Sequence, residues 1–283
     1  MSNMMGFLAR RFIAGGNFEE ALEEIRRLNS MNITTTVDVL GENVNSQVEA
    51  KAKANSYIDA LGKINSTGVN SHVSLKLTQM GLDISDEFCF ENVSRIFAAA
   101  LKYENFVRVD MEGSNYTQRT MELVHRWHES FPNMGIVIQS MLLRSEDDVK
   151  ELNRRKIPVR LCKGAYKEPP SIAFRDKRDV NENYLKLMRI LLSEGTYPAI
   201  ATHDQVMVDA TIDYASQNGI GSDQFEFQML YGIRRSLQQQ IAQDGFRMRI
   251  YVPFGTHWFP YYYRRLRERK ENIFFILKNL VRH

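Results

Sequence analysis

The feature that most constrains this chain is an alternation. Eight short runs rich in β-branched and apolar residues are each followed by a stretch with helical spacing. They are residues 34–40 (TTTVDVL), 72–77 (HVSLKL), 106–111 (FVRVDM), 135–140 (GIVIQS), 159–164 (VRLCKG), 199–204 (AIATHD), 225–230 (FEFQML) and 248–253 (MRIYVP). Strands separated by helices pair in parallel through right-handed crossovers. Eight such units in about 250 residues make a (β/α)8 TIM-type barrel. An amphipathic helix around 17–30 precedes the first run. The expected organisation is an N-terminal helical segment, residues 1–33, and a barrel, residues 34–283. An open doubly wound sheet is the alternative, but the chain carries neither the G-x-G-x-x-G fingerprint nor a P-loop.

Composition narrows the setting. The 37 Lys and Arg nearly balance the 34 Asp and Glu, leaving a net charge of +3. That balance does not point to nucleic acid or to a strongly anionic surface as partner. Cys89 and Cys162 are too few for a disulfide framework or a zinc ribbon, and both are expected to be buried apolar side chains. No run approaches the roughly 18 apolar residues of a membrane span, and the start has no long apolar signal core. A reducing, soluble, cytoplasmic setting is expected.

In barrels of this kind chemistry collects at the C-terminal ends of the strands. Those ends carry Lys76, Asp110 with Glu112, Gln139, Arg160 with Lys163, Thr202 with His203, Gln228 and Tyr251. An ionised side chain within a strand register needs a partner or a ligand, so the set reads as a polar mouth. Metal hydrolysis fits it poorly, because His125 and His128 fall on a helix between strands, away from the mouth. Two chemistries stay open. Lys76 or Lys163 could form a Schiff base. Alternatively Arg160, Gln139, Lys163, Gly164 and Thr202 are the residue types that a bound flavin needs. Near the end, Arg264 and Arg265 are adjacent on a helix and point about 100° apart. Two guanidinium forks suit a carboxylate or phosphate if that helix lies over the cavity. Otherwise they belong to a solvated basic run with Arg267, Arg269 and Lys270.

Several segments together carry a family likeness. RLCKGAY (160–166), IATHDQ (200–205), EFQMLYGIR (226–234) and YVPFGTHWFPYYYRRLRER (251–269) resemble proline dehydrogenase, as do SLKLTQMG (74–81) and VRVDMEGS (107–114). The resemblance runs from about residue 37 to 280, in order along the barrel. It implies a distorted (β/α)8 barrel, with a final helix over the barrel mouth, that binds FAD and oxidises L-proline to Δ1-pyrroline-5-carboxylate. It assigns Lys76, Arg264 and Arg265 to the proline carboxylate, with Glu268 orienting the arginines. It puts Asp110, Tyr251 and Leu230 in the proline pocket, with Tyr251 and Leu230 on the ring. Arg160 is placed close to flavin N5, and Met111, Gln139, Lys163, Gly164, Ala165, Thr202 and His203 on FAD. Glu42 corresponds to an acidic gate residue. The resemblance further implies a quinone as electron acceptor, peripheral contact with the inner membrane face, and a monofunctional chain whose product goes to a separate pyrroline-5-carboxylate dehydrogenase. The chain departs from the family at Ser140 and Met141, where an alanine and a tyrosine are common. A bulky Tyr251 disfavours hydroxyproline. The remaining alternatives are another small cyclic amino-acid dehydrogenase and a non-catalytic barrel that binds anions.

Overall fold

A computed structural model describes residues 11–41, 44 and 46–268, excluding the side chains of residues 264–268. Eight parallel strands close into a barrel in sequence order. They are β1 (Thr34–Val39), β2 (Ser71–Leu75), β3 (Val107–Val109), β4 (Met134–Gln139), β5 (Val159–Cys162), β6 (Ala199–Ala201), β7 (Glu226–Leu230) and β8 (Met248–Phe254). The described helices are α1 (Phe18–Asn29), α2 (Gln47–Thr67), α3 (Asp86–Lys102), α4 (Ser114–His128), α5 (Ser145–Arg154), α6 (Lys177–Glu194), α7 (Gln205–Gln217), α8 (Arg235–Gln243) and α9 (Phe259–Glu268). The barrel expected from the alternation is the one found.

The two faces of the strands divide the residue types. Val37, Val73, Leu75, Val107, Val109, Ile136, Leu161, Ile200, Phe227, Ile250 and Val252 are fully buried in one continuous core between sheet and helices. Each such side chain contributes roughly 1.5–3 kcal/mol relative to leaving it exposed. Most of the alternate positions are polar and meet inside the barrel, with Val137 and Ala201 among the exceptions. Arg160 on β5 reaches Asp110, just beyond β3, and Lys76, just beyond β2, reaches Tyr251 on β8. Neither pair lies on neighbouring strands, so these contacts cross the interior.

Local chemistry sets the ends of the elements. Asn17 caps α1 by accepting from the Glu20 N–H at 2.9 Å, and Arg26 and Arg27 lie in its last turn, where the dipole favours cations. Ser85 caps α3 in the same way, from Phe88 N–H at 3.1 Å. Several strands stop short of the expected runs. Lys76 is already the cap of a 3-10 turn, Leu77–Met80, rather than the end of β2. Beyond Ala201 the chain turns to make Asp204 the cap of α7. At these two positions the backbone turns to start the next element. The start of α9 reaches the mouth. Tyr261 and Tyr262 are buried with Phe12, Ile13, Leu40 and Ile233.

Candidate active site

A cavity of about 860 Å³ opens at the C-terminal ends of the strands. Lys76, Asp110, Met111, Gln139, Arg160, Lys163, Gly164, Ala165, Thr202, His203, Leu230 and Tyr251 all line it. Twelve site residues read from the sequence thus share one space. Arg264, Arg265 and Glu268 fall on the backbone of α9, but their side chains, like all of Glu42, lie outside the described residues.

Asp110 is the hub. Its Oδ1 accepts from Arg160 Nη1 at 2.8 Å and from Ser74 Oγ at 2.6 Å. Its Oδ2 accepts from the Tyr251 hydroxyl at 2.7 Å and lies 3.5 Å from Lys76 Nζ. Burial alone would raise its pKa, but the charges of Lys76 and Arg160 and the hydrogen bonds from Ser74 and Tyr251 prevail and hold it below the usual carboxylate value. Tyr251 moves the other way. Burial, then the negative charge of Asp110, pushes its phenol well above the ordinary value, so it stays protonated and donates. The Arg160 guanidinium lies over the Tyr251 ring, 5.4 Å from its centroid.

Behind Lys76 stands a buried network that the sequence reading missed. Lys76 Nζ donates to Asp38 Oδ2 at 2.9 Å. The Tyr57 hydroxyl lies 2.9 Å from Asp38 Oδ1 and 3.0 Å from Gln79 Oε1, and accepts from Val39 N–H at 3.2 Å. Gln79 Nε2 donates to the carbonyls of Val39 and Gly41. Asp38 sat in the first β run as an acid within an apolar strand, which was the available signal.

The opposite wall is built by the β5, β6 and β7 ends. Lys163 pairs with Asp204 at 2.8 Å. Burial would raise Asp204, but the hydrogen bond and charge of Lys163 bring it below the usual value. His203 Nε2 accepts from Leu230 N–H at 2.9 Å, and Arg234 Nη1 donates to the His203 carbonyl at 2.9 Å. Gln139 Nε2 lies 3.3 Å from the Met111 carbonyl. Gln139 Oε1 and Arg160 Nε are buried at this cavity without a hydrogen-bond partner among the described residues.

Two expectations are corrected. Cys162 is not a buried core residue: it is partly exposed and lines the cavity, because its side chain falls on the inward phase of β5. Cys89 is buried as expected. Glu112 does not face the mouth, since its carboxylate accepts from Thr78 N–H at 3.0 Å and Thr78 Oγ1 at 2.7 Å. The departures at Ser140 and Met141 leave the wall filled: Ser140 Oγ donates to the Val180 carbonyl at 3.2 Å, and Met141 packs with Leu142 and Ala173. Gly164, at φ +102°, runs so close to Met141 that a Cβ there would collide with its side chain.

Among the described residues no group of three or more His, Cys, Asp or Glu could hold a metal ion. No described helix is long and apolar enough to cross a membrane.

A model of the proline dehydrogenase family matches residues 21–277. Over 274 residues the chain is 41% identical to proline dehydrogenase 2 of Bacillus subtilis (strain 168), spanning 97% of this chain and 90% of that protein. It is 36% identical over 280 residues to proline dehydrogenase of Deinococcus radiodurans, with the same 97% and 90% spans. Among solved structures, proline utilization A from Bdellovibrio bacteriovorus, inactivated by N-propargylglycine, superposes with a TM-score of 0.87 at 28% identity. That superposition covers 94% of this chain and 33% of the larger one.

Proposed function

The chain belongs to the proline dehydrogenase family, and from that premise we propose that it is a flavoenzyme that oxidises L-proline to Δ1-pyrroline-5-carboxylate. The observation that carries the cofactor is the pair of orphaned polar atoms, Gln139 Oε1 and Arg160 Nε, buried at the cavity. Left unpaired, a buried polar group costs about 1–3 kcal/mol, and a flavin ring edge offers both donors and acceptors to such groups. The same cavity, about 860 Å³, is also lined by Lys163, Thr202 and His203, residue types that suit a pyrophosphate. Gly164 lets the backbone lie close to Met141 and keeps that wall thin. The residues therefore fit FAD, held by Met111, Gln139, Arg160, Lys163, Gly164, Ala165, Thr202 and His203.

When bound, FAD supplies the acceptor for the hydride that leaves the ring carbon beside the proline nitrogen. Lys76, with Arg264 and Arg265 of α9, holds the carboxylate. Tyr251 and Leu230 pack on the ring and fix the reacting carbon, a positioning effect. Lys76 and Arg160 disfavour the protonated amine, which has to be neutral to react. Asp110, anchored by Arg160, Ser74 and Tyr251, keeps these groups in register. The family likeness gives Glu268 the part of orienting the two arginines and Glu42 that of an acidic gate residue. Electrons pass to a quinone during peripheral contact of a cytoplasmic protein with the inner membrane face, and the product goes to a separate pyrroline-5-carboxylate dehydrogenase. The described part of residues 1–33 contributes α1, and the barrel begins with β1 at Thr34.

Anaerobic titration of the FAD-loaded protein with L-proline tests this reading. Bleaching of the flavin bands by L-proline, and far less by hydroxyproline, is expected. Absence of flavin bands after reconstitution with FAD would overturn it. In the same assay Arg265→Met is expected to raise the half-saturating proline concentration with FAD retained.

A further inference from the structure

The loop between β5 and α6, residues 163–176, is longer than about 12 residues, a length at which loops without secondary structure tend to be functional. Its first residues, 163–166, form one wall of the cavity. The far end of the loop is fixed by backbone bonds: Leu143 N–H donates to the Ile172 carbonyl and Phe174 N–H to the Met141 carbonyl, each at 2.9 Å. The wall's first residue is tied too, since Met141 N–H donates to the Lys163 carbonyl at 2.9 Å and Lys163 Nζ pairs with Asp204 at 2.8 Å. Just past the wall a side chain adds a further tie. Glu168 Oε1 accepts from the Ser114 N–H at 2.8 Å, and its Oε2 accepts from Ser114 Oγ.

That tie meets a specific need of α4. The helix starts after Gly113, which offers no capping side chain, and its first turn holds no acid. The orphan N–H groups and positive dipole end of a helix N-terminus favour a carboxylate acceptor. Glu168 supplies that acceptor from 54 positions further along the chain. A Cβ placed on Gly113 would sit 3.8 Å from Glu168 Oε1 and 4.0 Å from the Tyr166 ring, so the cap and the cavity wall both border the start of α4.

We propose that Glu168 is a positioning residue: by capping α4 from the β5–α6 loop it holds the 163–166 wall in place and slows the release of the bound dinucleotide. The second half of this statement rests on the flavin reading above. The anchoring of the loop does not.

The test compares wild type, Glu168→Ala and the double variant Glu168→Ala/Gly113→Ser. Gly113 has φ −60° and room for a side chain, so serine restores a cap to α4 without restoring the tie to the loop. Two quantities are read: the FAD release rate, from flavin fluorescence after dilution, and amide hydrogen exchange in residues 163–171. Glu168→Ala is expected to speed both by roughly five- to tenfold, the factor of a lost cap of ordinary strength. The double variant is expected to recover thermal stability while release and exchange stay fast. Wild-type behaviour in Glu168→Ala, or recovery of both rates in the double variant, would overturn the proposal and leave Glu168 as a helix cap alone. If the wild type takes up no FAD, the flavin reading fails, and exchange alone decides the anchor: fast in both variants supports it, unchanged refutes it.

Discussion

Lys76 points its Nζ at Asp38 Oδ2, 2.9 Å away, and that carboxylate is completely buried. A lysine at a cavity wall would otherwise be free to swing on its long stem. Pairing it with Asp38 from behind and Asp110 from the side, at 3.5 Å, fixes its head at the cavity wall. Asp38 is itself held by Tyr57, and Tyr57 by the β1 backbone.

Removing one partner of a buried ion pair leaves the other uncompensated. Asp38→Ala is therefore expected to lower the unfolding free energy by about 3–5 kcal/mol. Tyr57→Phe, which strips one hydroxyl from Asp38, Gln79 and Val39, should cost about 1–3 kcal/mol. Urea denaturation at neutral pH checks both, and a loss below 1 kcal/mol for Asp38→Ala would contradict the buried pair.

Tyr251→Phe deletes a hydrogen bond to the ionised form of Asp110, so the Asp110 pKa should rise towards its ordinary value. The Asp110 carboxylate of the variant should then take up its proton at a higher pH than in the wild type. Carboxyl-carbon NMR across an acidic pH series reads this directly, and a shift to lower pH would be the wrong sign.

His72, packed against Phe106 with ring centroids 5.3 Å apart, has its pKa held well below the ordinary value by burial and then by Arg249, Arg108 and Arg160. The unfolded chain thus binds a proton that the folded one refuses. Its contribution to stability is complete above about pH 6.5, the unfolded value, and is lost as pH falls below it. His72→Gln should flatten the fall of the urea midpoint between neutral and mildly acidic pH.

Cys162 lines the cavity and Cys89 does not, and burial pushes the Cys89 thiol far up. Iodoacetamide should label Cys162 in FAD-free protein, label it several-fold more slowly once FAD is bound, and leave Cys89 untouched in both. Mass mapping of the alkylated peptides distinguishes the two sites.

The site was legible where a residue sits at the end of a recognisable strand. Lys76 and Asp110 could be collected because each follows an apolar β run, Arg160 and Tyr251 because each stands inside one, and barrel geometry brings these strands together. Glu112 shows the limit of that logic. It occupies a strand-end position, yet two bonds from Thr78 turn it away from the cavity. Cys162 shows another limit, because residue type suggested burial while its phase on β5 gave it to the mouth.

The sequence by itself determined the barrel, since eight alternations of period two and helical spacing admit few other closures, and it determined the family, since the motifs recur in order. Only the tertiary structure decided who holds whom. Asp38 and Lys76 are 38 positions apart, Tyr251 and Asp110 are 141, and Glu168 and Ser114 are 54. No local pattern encodes such pairs. Strand register and barrel closure set their separations, and a buried charge is stable only where that closure delivers its partner.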